Sequence, residues 1–290
     1  MPNQIQLSQN YVPLLDEVYA GESVTADLTS DASMIRAGAN ANEIVCPKIE
    51  VGGLGDYDRN SGYTKSAVKF EWETYKFNYD RGAKIEVDAM DDNETFNLAF
   101  GMAGAELQRT KVAPEADAFV FAKIAGVEGI SIADPATLAN AEEFLAALIV
   151  AKNQMDEDEV PEEGRILYAT PTLYNGVMAL DTTKSREVLN SFSVKKKVPQ
   201  SRFYTAIDLL DGRTEGEEAG HYKKAENGKD INFMIIHKKA ILKHDKHVVG
   251  SLIPPELNAN SDAYISKYRK YGIVDVFRNK RAGVYLHHKA

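Results

Sequence analysis

The side chains best suited to chemistry are six histidines, one cysteine and a knot of carboxylates. Five of the histidines (His237, His244, His247, His287 and His288) lie beyond residue 236. His244-Asp-Lys-His247 lacks both the i, i+4 helical spacing and the glutamate of a zinc protease. Lys238, Lys239, Lys243 and Lys246 surround it and would oppose a cation, so the set reads as exposed strand residues. Asp88, Asp91, Asp92 and Glu94 converge as the ligands of a hard cation would, but without the spacing of a calcium loop. Carboxylates at a helix start are favoured by the helix dipole in any case. Cys46 stands beside Pro47 in an apolar run and reads as a small buried hydrophobe. Gly53-Leu-Gly55 opens like a dinucleotide fingerprint but lacks the third glycine and a following helix, so it reads as a hairpin tip. Lys195-Lys-Lys197 reads as a solvated turn. There is no phosphate-cradling Gly-x-x-x-x-Gly-Lys run and no Gly-x-Ser-x-Gly elbow. These patterns compose no active site, and the reading assigns no catalytic residue, no cofactor and no metal.

Composition sets the frame in which those residues must be held. The chain has 290 residues, 44% apolar and 27% charged, which is globular composition and excludes wholesale disorder. No window approaches the roughly 18 apolar residues of a membrane span. The N-terminus has no basic and apolar signal region. A single cysteine forbids an internal disulfide, and a reducing cytoplasmic origin is expected. The net charge is −9, unevenly spread. Residues 1–228 carry 22 Lys/Arg against 38 Asp/Glu, whereas residues 229–290 carry 12 against 5. An acidic body with a basic end does not suit general DNA binding. It suits head-to-tail contact between copies, or else the solvated faces of strands.

Residues 1–42 hold few large apolar side chains, with a short helical piece near Pro13–Tyr19, and read as an arm that must lie on something else. Glu43–Val51 is a strand that Pro47 demotes to an edge or a bulge. Residues 52–62 are turn chemistry. In the returning strand, Val68, Phe70 and Trp72 share one face, but Tyr75, Phe77 and Tyr79 continue on the other parity. That switch implies a bulge, or a strand that changes environment midway. Residues 43–80 are thus a long hairpin, marginal alone in water, that must find a partner outside its own fold.

Asp91 and Glu94 resemble a capping box before Phe96, Ala99, Phe100, Ala103 and Leu107 at helical spacing. Pro114 should interrupt that helix. Asn140 with Glu143 caps a second helix whose buried stripe is Phe144, Leu148, Ala151 and Met155, and which ends in the acidic tail Asp156–Glu159. Arg165–Ala169 reads as a buried strand, Thr170-Pro171 as the start of a helix to Leu180, and 211–229 as an exposed loop. Ile231–Ile236 is a strand, with more in 240–253 and 273–287. The class is α+β, with helices and strands segregated.

The succession of motifs resembles the major capsid (coat) proteins of tailed bacteriophages, the Hong Kong-type fold. The resemblance rests on Tyr11-Val-Pro-Leu-Leu-Asp16, the run from Gly38 to Ile49, Gly53-Leu-Gly-Asp-Tyr-Asp-Arg59, Glu71-Trp-Glu-Thr74 and Asp80-Arg-Gly82. It continues through Val87-Asp-Ala-Met-Asp-Asp-Asn-Glu-Thr95, Val112-Ala-Pro-Glu-Ala-Asp117 and Arg165-Ile-Leu-Tyr-Ala-Thr-Pro171. It implies an N-terminal arm over 1–42, an E-loop hairpin over 43–80 and a peripheral domain with a spine helix over 81–135. An axial domain over 136–236 and C-terminal strands over 237–290 that return to the peripheral domain complete it.

The resemblance also implies a shell of pentamers and hexamers around packaged DNA that it contacts non-specifically, a separate scaffolding protein (favoured by the retained Met1) and a portal, with no membrane partner. The virion capsid, assembled in the bacterial host cytoplasm, is the implied location. Intersubunit contacts are expected at Asp56, Asp58, Arg59, Phe70 and Trp72. An acidic balance suits a wall that must not trap phosphates. The alternatives are an encapsulin-type cellular compartment and, from another class, a metal-dependent hydrolase using the carboxylates or histidines.

Overall fold

A computed structural model describes residues 23–31, 33, 35–90, 98–218 and 220–290, with the side chains of 98–102 left aside. The Pro13–Tyr19 helix, the Asp91/Glu94 box with Phe96, and the Asp91, Asp92 and Glu94 carboxylates therefore lie outside the described residues. The chain divides into two units: residues 31–79, and residues 1–30 with 80–290.

The smaller unit is a three-stranded sheet ordered β1 (Arg36–Ala37), β2 (Glu43–Val51), β3 (Val68–Lys76). β2 and β3 pair antiparallel without interruption from Glu43↔Lys76 to Val51↔Val68. The parity switch is therefore a change of environment along a regular ladder, not a bulge. Pro47 is tolerated because β1 reaches only Ile44 and Val45, which leaves the edge at Pro47 without a ladder bond to lose.

The larger unit is built on a five-stranded mixed sheet, ordered β5 (Ser131–Ile132), β13 (Val284–His288), β10 (Ile231–His237), β6 (Arg165–Ala169), β7 (Val194–Lys197). β6 and β10 are buried along their whole length, as continuous apolar strands covered on both faces must be. One face packs on the main core, which includes Phe121, Ile124, Tyr168, Phe203 and Met234. The other packs on Phe144, Leu148, Met155 and Phe233.

The helices follow their local signals. Helix α1 (Leu98–Leu107) passes through a π-helical turn at Gln108–Val112 into α2 (Ala113–Ala125), which carries Pro114 in its first turn. The interruption read from Pro114 is thus a widened turn just upstream, where the missing N–H and the ring break the regular ladder. Helix α3 (Ala141–Glu157) is capped by the Asn140 side chain accepting from the Glu143 N–H, and it buries Phe144, Leu148, Ala151 and Met155. Helix α4 (Pro171–Leu180) follows β6 as expected.

Five readings need correction. A helix α5 (Thr183–Asn190), closed by a Thr182/Ser185 capping box, was not read from the sequence. Lys195–Lys197 is not a turn, since these lysines form β7 parallel to β6. The β6–α4–α5–β7 crossover means helices and strands are not fully segregated. The 211–229 loop contains β9 (Tyr222–Lys224), which pairs with β8 (Ile207–Leu209). A final sheet joins β11 (Ile241–Ile253), β12 (Ala263–Val276) and β4 (Tyr79–Asp88), so the strand expected from 273 begins ten residues earlier.

Candidate assembly surface

In an antiparallel ladder, opposed residues share a face. Ile44, Cys46, Lys48 and Glu50 therefore share one with Tyr75, Glu73, Glu71 and Lys69, while Val45, Pro47, Ile49 and Val51 share the other with Thr74, Trp72, Phe70 and Val68. Near the base the first face is buried through Ile44, Cys46 and Tyr75. Toward the tip it turns wholly ionic, with Lys48–Glu50 at 2.5 Å and Lys69–Glu71 at 2.7 Å. The second face does the reverse. Its distal half is three successive cross-strand apolar pairs, Pro47↔Trp72, Ile49↔Phe70 and Val51↔Val68.

All six of those residues are exposed: Ile49 59%, Val51 66%, Val68 68%, Phe70 51% and Trp72 43%, with Pro47 likewise open. Phe70 and Trp72 meet edge to face at 5.4 Å, and the Arg36 guanidinium lies 5.1 Å from the Trp72 ring centroid. Among the described residues the face is an apolar strip open to solvent, with Arg36 over its innermost ring.

The tip adds exposed Leu54, Tyr57 and Tyr63. Asp58 and Gly62 exchange backbone hydrogen bonds (3.2 and 2.7 Å), Gly62 takes a φ of +80°, and the tyrosine rings meet at a tilt with centroids 4.8 Å apart. Asp58 Oδ1 accepts from the N–H groups of Asn60 (2.6 Å) and Ser61 (3.0 Å), which hold its carboxyl below the usual range. Its first task is therefore its own turn. Asp56 and Arg59 are exposed beside it, so the structure brings the five expected contact residues onto one hairpin, rings on the stem and charges at the tip.

Where the chain enters the larger unit, three consecutive residues are tied down. The Asp80 carboxylate accepts two hydrogen bonds from Arg269 (2.9 and 2.7 Å). Arg81 donates to both oxygens of the buried Glu115 (2.6 and 3.1 Å) and to the His221 carbonyl (3.2 Å). At Gly82 any Cβ would lie 2.8 Å from the Tyr268 carbonyl, so only glycine fits. Two motifs of the resemblance, Asp80-Arg-Gly82 and Val112–Asp117, are thus one structural joint.

Asp117 makes a second joint that sequence reading missed. Fully buried, its carboxylate accepts from Ser23 Oγ (2.8 Å), Thr25 Oγ1 (2.7 Å), the Val24 and Thr25 N–H groups (both 3.1 Å) and Arg202 (3.2 Å). Lys243 Nζ donates to the Thr25 carbonyl at 2.7 Å, and burial, followed by Lys270, pulls its pKa down to about 8. Leu28 sits in the main core. Residues 23–30 are therefore a strap integral to the larger unit. An isolated Asp within an apolar helix stripe was the available signal.

The reactive candidates take structural posts. Cys46 is buried, and burial with Glu73 raises its thiol to about 11, far from a nucleophile's range. His237 and His287 are not exposed as expected but buried, because β10 and β13 are interior strands. His237 Nε2 lies 3.1 Å from the Glu163 carbonyl, and His287 Nδ1 3.0 Å from the Asn232 amide. Among the described residues no group of three or more His, Cys, Asp or Glu side chains could hold a metal ion, and no helix is long and apolar enough to cross a membrane.

No family model and no curated protein matches the sequence. Solved structures do match. A capsid structure of the cyanophage P-SCSP1u superposes with a TM-score of 0.59 at 14% identity, covering 92% of this chain and 88% of that one. A chain of Mycobacterium phage Che8 gives 0.58 at 12%, covering 91% and 90%. A virus-like particle from Pyrococcus furiosus gives 0.57 at 13%, covering 98% and 100%. The chain has the α+β Hong Kong-type capsid fold expected from its motifs.

Proposed function

We propose that this chain is a major capsid subunit of a tailed phage or prophage, self-assembling through pentamers and hexamers into an icosahedral shell around double-stranded DNA. One observation carries the proposal: a regular hairpin presents three consecutive apolar cross-strand pairs to solvent. A monomer gains nothing from such a strip, which invites association; in a shell, each subunit covers its neighbour's. Phe70 and Trp72 anchor the contact, and Asp56, Asp58 and Arg59 set its register. Under the same reading, 1–42 is the arm, 43–80 the E-loop, 81–135 the peripheral domain, 136–236 the axial domain and 237–290 the returning strands. A separate scaffolding protein and a portal complete the particle, which assembles in the host cytoplasm. The subunit itself does no catalysis.

Electron microscopy of the purified chain, alone and with its scaffold, tests this. Shells, rings or tubes are expected; small particles at every concentration and ionic strength refute it. The match to the Pyrococcus furiosus virus-like particle along both full chains favours one second reading, an encapsulin-type compartment. The contents of shells purified from the native host separate the two. Genome-length DNA marks a capsid, and a packaged cellular enzyme marks a compartment.

A further inference from the structure

Part of the chain's positive excess beyond residue 228 lies on strands, but five of its basic residues are gathered at one corner. The turn Lys238–Ala240 packs against the turn Arg278–Gly283, with Phe277 N–H donating to the Ala240 carbonyl (2.9 Å) and Lys280 Nζ to the Lys239 carbonyl (3.2 Å). This closes a sequence gap of some forty residues and brings Lys238, Lys239, Arg278, Lys280 and Arg281 together. The first four are exposed. None of the five forms an ion pair among the described residues, although most other basic groups near carboxylates do. The crowding has a cost: Lys280 is pulled below its ordinary pKa by burial and then by the charge of Lys239. Such a cluster, on a chain of net charge −9, lacks its counter-charge.

We infer that this corner is a docking point for the phosphate backbone of double-stranded nucleic acid. The inference rests on the capsid reading for the identity of the polyanion, and it assigns the corner to the side of the subunit that faces the genome. A protein partner is the poorer fit. Protein interfaces close around an apolar core, and among the described residues no exposed large hydrophobic residue lies in either turn; more than half of the exposed ones lie on the hairpin. Phosphates need only clustered cations and no base-reading groups. The acidic remainder confines contact to this corner, so the wall touches the genome at discrete points while repelling it elsewhere.

The test is a titration of the full-length protein with a mixed-sequence duplex, followed by fluorescence anisotropy across salt. Four or five phosphate contacts predict a slope of log K against log salt of about −3.6 to −4.5. The variant K238A/K239A/R278A/K280A should bind about tenfold or more weakly at about 50 mM salt, with the slope reduced by about 0.9 for each phosphate left unneutralised. A control of equal charge change on exposed lysines elsewhere, K111A/K184A/K223A/K267A, should stay within about threefold of the parent. Equal weakening by both variants would mean bulk charge alone and would overturn the inference. Unchanged DNA affinity, with shells lost in the first variant, would overturn it in favour of a subunit contact. If the quadruple variant does not fold, single reversals R278E and K239E carry the same titration. Failure of the wild-type chain to form shells would be seen by microscopy, apart from the titration, and would count against the capsid reading alone.

Discussion

Replacing Phe70 and Trp72 together by alanine separates what the rings do for the subunit from what they do between subunits. Each ring is about half exposed, so of the roughly 150–250 Å² that such a side chain can bury, about 100 Å² remains for a partner to cover. At about 25 cal/mol per Å² that is about 2.5 kcal/mol a ring and about 5 kcal/mol for the pair in each contact. Within the subunit the loss is smaller: the edge-to-face pair, worth about 0.5–1.5 kcal/mol, and the Arg36–Trp72 contact, about 0.5–1 kcal/mol at an exposed site. Denaturant unfolding should therefore show a subunit weakened by no more than about 2.5 kcal/mol. Light scattering should show the threshold concentration for assembly raised by about three to four orders of magnitude, since about 1.4 kcal/mol is tenfold. Assembly at the wild-type threshold would refute the reasoning, because the strip would then meet no neighbour. A subunit that no longer folds would refute it differently, by showing that the rings belong to its core.

Replacing residues 52–66 by an Asn-Gly turn should leave a folded subunit, checked by circular dichroism, whose shells fail to form or fall apart on dilution. Asp117→Ala strips a buried carboxylate from five donors and should cost about 3–5 kcal/mol; limited proteolysis should then cut within 23–30, which the wild type protects. His237 and His287 have pKa values lowered chiefly by burial, so the folded chain binds their protons less readily than the unfolded one. Their contribution to stability is full above about pH 6.5 and falls as the pH drops below it; urea midpoints at neutral and mildly acid pH should record the decline, and H237Q/H287Q should flatten it. Purified protein should carry no stoichiometric zinc by elemental analysis, and H244A/H247A should assemble normally.

What could be read from the sequence was whatever neighbouring residues decide. Asn140 and Glu143 lie three apart and cap α3 whatever the rest of the chain does, and the stripe from Phe144 to Met155 reports one buried face. Pro114 marks its interruption because the missing N–H is its own. The parity switch near Tyr75 located the change of buried face before any contact was known. Long-range partners decided the rest. Three lysines in a row do not look like a strand, yet Lys195–Lys197 becomes one because β6 offers a parallel edge, with Lys196 paired to Asp27 at 2.5 Å and Lys197 lying over Tyr174. Helix α5 buries only Ser185 and Leu189, too few for a periodic signal. In β12, Lys267 and Arg269 alternate with buried neighbours, but Lys270 is itself buried, held by Asp245 at 3.0 Å, and a buried lysine hides the period. The Asp117 joint spans more than ninety residues back to Ser23, beyond the reach of any local pattern.

The parity switch and the ionic strip belong to one design problem. A strand with a single unbroken alternation buries the same face from end to end, and a hairpin built of two such strands turns only charge outward. This hairpin instead spends its first face on Ile44, Cys46 and Tyr75 at the base, then crosses its apolar residues to the second face. The vacated positions are filled with Lys48, Glu50, Lys69 and Glu71, whose opposite charges pair across and along the strands. That pairing matters because a hairpin with two apolar faces would stack on any copy of itself, whereas an internally neutralised ionic face offers little to an approaching chain. On the capsid reading, association would thereby be confined to one face of the hairpin.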